Sequence, residues 1–230
     1  GACPSAGSAM TTGDGLLSRV RLPGGRMSPQ QLQRLAELAD HWGNGELELT
    51  SRGNLQFRGL TDAGAQALTD SLIAMELAVH PTASEAARNV LCSPAADLDP
   101  VATHDPWPLA QELDRALSTE ADLQALPAKF RFVLNGGGTA HLWTQEADVR
   151  ADAISTLNGT RYRIALAGNA FNASPLGLCA PDAVARTLLA LARRFLQHRE
   201  QWLTDVTRLA PVLDALGPDA FQANGLEPLG

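Results

Sequence analysis

GLLSRVRLPGGRMSPQQLQRLAELADHWGNGELELTSRGNLQFRGLTDAGAQALTDSLIAM, residues 15–75, decides the fold class of this 230-residue chain. GLLSRVRL (15–22) reads as a strand and PGG (23–25) as a turn leading to a helix that begins at Ser28. A serine side chain there accepts from the exposed first-turn amides, and Pro29 has no amide to leave unpaired. Leu32, Leu35, Ala36 and Ala39 give the helix an apolar face, and Gly43–Asn44–Gly45 ends it. ELELT (46–50) and NLQFRG (54–59) alternate as short strands joined through 51–53, and Thr61 caps a second helix running to about Met75. The result is a strand–helix–strand–strand–helix unit that resembles half of a larger sheet assembly.

From Pro81 onward the pattern changes. A turn rich in Pro, Asp and Ala (94–108) precedes a helix at 109–118, and LPAKFRFVLN (126–135) reads as a strand ended by three glycines, with AHLWT (140–144) as its partner. A short helix is expected at 146–156, a strand at 160–168, and a long amphipathic helix at 181–199 with Val184, Leu188, Leu191 and Leu196 inward. Two cores are expected, in an α+β chain divided at 10–80, 81–215 and a tail or linker at 216–230.

Composition narrows the function. The formal charge of −7 argues against a surface that tracks nucleic-acid phosphates. No stretch reaches the run of about 18 apolar residues of a membrane span, and cytoplasmic residence is the expectation. Cys3, Cys92 and Cys179 are too few and too far apart for a zinc site or a disulfide scaffold. His41, His80, His104, His141 and His198 have no metal-ligand spacing and read as caps, core-edge or surface residues. No nucleophile elbow, HExxH pair, phosphate loop or dinucleotide-binding glycine pattern is present.

The cations are the informative residues. Lys129 is the single lysine beside 17 arginines, and with Arg131 it flanks Phe130 in an alternation that points both cations one way while the ring enters the core. Arg19 and Arg21 share a face if their strand is regular, as a solvated edge or as anion contacts. Arg52 stands in a turn from which a guanidinium can reach carboxylate or oxyanion oxygens. Gln56 and Arg58 alternate with Leu55 and Phe57, which a polar strand face explains by itself. Arg88, followed by Asn89, either anchors an anion or makes a structural salt bridge. Arg161 and Arg163 read as surface residues, and Asp14 in TGDG as a turn former or a partner for an arginine.

RVRLPGG, LTSRGNLQFRG, RNVLCSP and LPAKFRF together, in this order, resemble the first half of the nitrite and sulfite reductase superfamily, the sirohaem and 4Fe–4S proteins. The likeness spans residues 10–200 and implies a ferredoxin-like half-domain followed by a larger nitrite/sulfite reductase-like α+β domain. It also implies that Arg19, Arg52, Arg88, Lys129 and Arg131 contact an anionic substrate or the carboxylates of the tetrapyrrole. Arg21, Gln56 and Asn89 complete the cofactor-binding set.

The opening GACPS and MTTGDGLLSRVRLPGG tilt the resemblance towards the precorrin-3B synthase branch, in which an iron–sulfur protein and dioxygen hydroxylate a polycarboxylated tetrapyrrole and form a lactone. The alternatives are a sirohaem-dependent nitrite or sulfite reductase, a tetrapyrrole-binding module without turnover, and a structural oligomer in which the cations form salt bridges. The family's paired cluster cysteines are missing here. The chain is therefore expected to be the amino-terminal portion of a longer enzyme, inactive alone and completed by a carboxy-terminal half or a complementary subunit, with the cluster and the electron donor supplied outside it.

Overall fold

The computed structural model describes residues 4–79, 82–95, 97–202 and 205–229. The first unit is a four-stranded antiparallel sheet, order β1 (Met10–Thr12), β2 (Gly15–Val20), β4 (Leu55–Leu60), β3 (Leu47–Leu49), covered by α1 (Pro29–Trp42) and α2 (Asp62–Ala74). Its helix starts follow from the sequence chemistry. Ser28 Oγ accepts from Gln31 N while the Gln31 side chain returns to Ser28 N, a reciprocal capping box, and Thr61 caps α2 through Gly64 N. Leu35, Leu38 and Ala39 of α1 meet Leu68 and Leu72 of α2 over Val20, Leu55, Phe57 and Leu60 of the sheet. Because side chains alternate along a strand, Arg19 and Gln56 occupy the opposite face, paired in register across β2 and β4. The hairpin that adds β1 was not expected from the sequence.

The second unit is a five-stranded mixed sheet, order β5 (Val90–Cys92), β6 (Phe132–Asn135), β7 (Ala147–Thr156), β8 (Gly159–Gly168), β9 (Ser174–Cys179). The first two pairings are parallel and the last two antiparallel. Helices α3 (Trp107–Thr119) and α4 (Val184–Trp202) and the short α5 (Ala210–Leu216) cover it. Phe130, Phe132, Tyr162 and Phe195 are fully buried in its core. Phe221 is buried in the same core with Ala220, Ala223 and Leu226 packed against it, and Glu227 pairs with Leu178 of β9.

Three local expectations are corrected. The helix expected at 146–156 is β7, the central strand of the sheet, paired with β6 on one side and β8 on the other. Its Ala, Asp and Arg content reads as helical, but pairing on both sides and burial of 147–153 outweigh intrinsic propensity. AHLWT is loop and turn, and the strand expected from 126 begins only at Phe132, because Phe130 N donates to Pro127 O and closes a turn over 127–130. Lys129 and Arg131 therefore do not share one face of a regular strand. β9 and α5 gave no clear local signal; Pro175 and Gly177 disguise the edge strand.

The two units meet at PGG. Gly24 has a φ of 66°, and a Cβ there would lie 2.5 Å from the Trp107 ring, so only glycine fits the seam. The Arg26 guanidinium lies 5.1 Å from the centroid of the same ring.

Candidate functional site

The turn between β3 and β4 presents Arg52. Gly53 N donates to Thr50 O, Asn54 N donates to Thr50 Oγ1, and Gly53 takes the left-handed conformation with φ 67°. The buried Asn54 side chain then accepts from Leu22 N and ties this turn to the chain after β2. Arg52 is half-buried, and no hydrogen bond or ion pair holds its guanidinium among the described residues. It lines a surface cavity of about 430 Å³ with Arg19, Thr50, Ser51 and Gln56. Arg19 Nη2 donates to Gln56 Oε1 at 3.4 Å, a long contact, and its buried Nε has no partner. Gln56 Nε2 donates in turn to Glu48.

Arg131, from the second unit, is within electrostatic reach of Arg52. Its backbone N donates to Asp148 Oδ2 at 2.8 Å and its Nη1 to the Glu146 carbonyl at 3.1 Å, while its Nε is buried without a partner. Burial first, then the cations Arg52 and Arg208, pull its pKa below the usual arginine range. Lys129, exposed in the preceding turn, has no partner among the described residues. The turn is held from within: Phe130 packs against Phe132 and Phe195, and buried Asn89 Nδ2 donates to Phe130 O at 2.9 Å. Asn89 thus supports the cation loop through its amide nitrogen.

Arg88 is placed differently. Its Nε and Nη2 donate to Asp114 at 2.8 and 3.0 Å, and its Nη1 to Glu85 at 2.6 Å and to Leu77 O, with the side chain 2 % exposed. It borders another cleft with Arg26, Ser28, Trp107 and Arg115. Of the two readings of Arg88, the geometry supports the structural salt bridge. Arg21 lies just past the end of β2 and is buried, whereas Arg19 is half-exposed, so the two do not form one cationic strand face.

Arg19, Arg52, Gln56 and the cavity between them form one part of a cationic face, with Arg131 within electrostatic reach of Arg52. Sequence reasoning missed Asp148, which is 1 % exposed and accepts from Arg131 N, Leu209 N and Arg208 Nε. It was hidden in the run read as a helix, and Arg208 stands where no motif pointed. Asp14 forms the β1–β2 turn and pairs with Arg58; its hydrogen bond from Thr12 and then the guanidinium hold its carboxyl below the usual range. Arg161 pairs with Glu227, and Arg163 donates to Ala170 O.

Cys92 and Cys179 are buried free thiols, pushed up by burial to about 12 and about 11. A 4Fe–4S cluster is held by four thiolates, and with only one further cysteine, at position 3, this chain does not fit as its holder. Cys3 and His80 lie outside the described residues. Among the described residues no group of three or more His, Cys, Asp or Glu is placed to hold a metal ion, and no helix is long and apolar enough to cross a membrane.

Residues 8–75 match the family model of the nitrite/sulfite reductase ferredoxin-like half domain. The chain is 37% identical over 194 residues to precorrin-3B synthase of Sinorhizobium sp, covering 84% of this chain and 41% of that protein. It is 26% identical over 219 residues to ferredoxin–nitrite reductase of Synechococcus elongatus, covering 90% of this chain and 43% of that one. In three dimensions it is similar to the NirA protein of Mycobacterium tuberculosis, with a TM-score of 0.73 and 18% identity over 90% of this chain and 38% of that chain. The chain spans about two fifths of the length of these relatives.

Proposed function

We propose, for a chain that carries the N-terminal ferredoxin-like half domain of the nitrite/sulfite reductase superfamily, that it forms the anion-recognising part of a larger tetrapyrrole-handling oxidoreductase of the precorrin-3B synthase type. The observation that carries this reading is the pair Arg52 and Arg131. Both are half-buried near one another, and neither guanidinium is matched to a carboxylate among the described residues. Two arginines left in mutual repulsion are stabilised when an anion enters between them. A polycarboxylated tetrapyrrole supplies several such anions on one rigid frame, and guanidinium groups bind carboxylates through paired, charge-assisted hydrogen bonds.

In this reading Arg52 and Arg131 bind substrate carboxylates, Arg19 with Gln56 lines the floor of the same face, and Lys129 adds an exposed charge. The iron–sulfur chemistry, with dioxygen, would hydroxylate the macrocycle and close the lactone, and it would be supplied by the part of the protein beyond this chain. The residues here orient the tetrapyrrole and neutralise its charge. The match to a nitrite reductase over most of the chain favours one alternative, a sirohaem-dependent reductase, in which the same cations would hold the cofactor.

Absorbance titration of the chain with uroporphyrin tests the shared part of the two readings. Binding is expected and should weaken in Lys129→Met. Unchanged affinity in a folded variant would remove Lys129 from the site, and absence of binding by the unaltered chain would remove the tetrapyrrole reading. The product of the complete gene, purified without oxygen, separates the branches: a sirohaem spectrum supports the reductase, and oxygen-dependent consumption of precorrin-3A without sirohaem supports the synthase.

A further inference from the structure

Asp148 draws Arg208 into the same site. Its Oδ2 accepts from Arg131 N at 2.8 Å and from Arg208 Nε at 2.9 Å, so one carboxylate oxygen binds both residues although 77 positions separate them. Its Oδ1 accepts from Leu209 N at 2.6 Å and from Arg208 Nε at 3.0 Å. The usual arginine–carboxylate pair is a fork in which two guanidinium nitrogens meet two oxygens. Here both oxygens converge on Nε alone. The terminal nitrogens of Arg208 make no hydrogen bond among the described residues, and the side chain is 39 % exposed.

The support beneath Arg208 is firm. Leu209 is fully buried in the second core, and Arg199 Nε donates to Val206 O at 2.8 Å, fixing the turn that leads to it. The charge count around it is unbalanced. Arg131 lies within electrostatic reach of two cations, Arg52 and Arg208, and of the buried carboxylate of Asp148, while Glu146 is exposed and its side chain accepts from Asn169.

We propose that Arg208 is a further substrate-binding residue, which Asp148 holds by Nε so that its two terminal nitrogens present a planar fork to a carboxylate of the ligand beside Arg131. This inference rests on the tetrapyrrole reading and extends it by naming a residue that no motif of the chain marks. Asp148 is then a positioning residue: it orders the backbone of Arg131 and the side chain of Arg208 together.

The test is uroporphyrin titration of the unaltered chain and of Arg208→Gln, Arg208→Lys and the remote control Arg34→Gln, at low and high salt, with melting temperatures measured alongside. Arg208→Gln is expected to weaken binding about 5- to 10-fold at low salt, with a smaller difference at high salt. Arg208→Lys keeps a charge beside Asp148 but loses the free fork, and should lie between. Arg34→Gln removes an exposed helical charge and should bind normally. Binding within twofold of the unaltered chain in a folded Arg208→Gln, or a Lys variant that binds more weakly than the Gln variant, would overturn the assignment while leaving the tetrapyrrole reading intact. An equal loss in Arg34→Gln would overturn it too, by making net charge the cause. Failure of the unaltered chain to bind uroporphyrin would instead remove the reading on which it rests.

Discussion

Arg150 of the second sheet and Arg52 of the first unit show two opposite uses of one side chain. Arg150 is fully buried. Its Nε and Nη2 fork onto Asp152 at 2.7 Å each, and its remaining donors reach the carbonyls of Gln145, Gly168 and Leu142. Arg52 is half-exposed and meets no partner among the described residues. A buried charge is tolerable only when its donors are satisfied, so Arg150 belongs to the architecture. A charge left unmatched beside a second and third cation is poised for a ligand. Arg88, with all its nitrogens engaged, falls on the side of Arg150 despite a sequence context that resembles the other group.

The sharpest way to break this comparison is Arg150→Met. Removing the guanidinium leaves Asp152 buried and charged, and the loss of folding stability should be about 3–5 kcal/mol. Urea denaturation measures it; a loss below about 1 kcal/mol would show that the Arg150 guanidinium is not needed to hold Asp152 in the sheet.

The second sheet should also be sensitive to alkali. The thiols of Cys92 and Cys179 have pKa values raised from 9.0 to about 12 and about 11 by burial. A raised folded value means that stability is fully present below the unfolded value and is lost as pH rises through the window from about 9 to 12. At pH 10.5 the loss from Cys92 should be on the order of 2 kcal/mol. Denaturation midpoints at pH 8 and 10.5, compared with those of Cys92→Ala, check it, and an equal decline in both would assign the effect to other groups.

On the open side of the comparison, Arg52→Gln should leave stability within about 0.5 kcal/mol and lower uroporphyrin affinity about tenfold, equivalent to about 1.4 kcal/mol. A destabilised protein with normal affinity would reverse the roles. The smallest effect belongs to the exposed carboxylates Asp97 and Asp122. Hydrogen bonds from Arg26 and Arg193 respectively hold them below the usual range, so their contribution is present above about pH 4 and is lost as pH falls further. Asp122→Asn should flatten the acid limb of the stability profile slightly.

What could be read in the sequence tracks how local the determining interactions are. Ser28, Pro29 and Thr61 act within one turn of their own helices, and the first unit is legible from them. Its cationic turn at Arg52 is also local, set by Thr50, Gly53 and Asn54. β7 was misread because its identity comes from its neighbours: Asp152 is acceptable within a sheet because Arg150, Asn135 and Arg163 surround its carboxylate. The pair Asp148 and Arg208 lay beyond reach for the same reason, since nothing near either residue signals the other.

The joint at Asp148 also sets an order of assembly. Residues 10–74 close their sheet and helices through contacts within one short span, and a nascent chain can complete them early. Arg131 acquires its carboxylate support from residue 148, and Arg208 joins only after α4 has been made and has turned back across the sheet. Arg208 therefore reaches its carboxylate late in synthesis, and a chain interrupted before it would keep its first unit but lack the guanidinium that Asp148 holds by Nε.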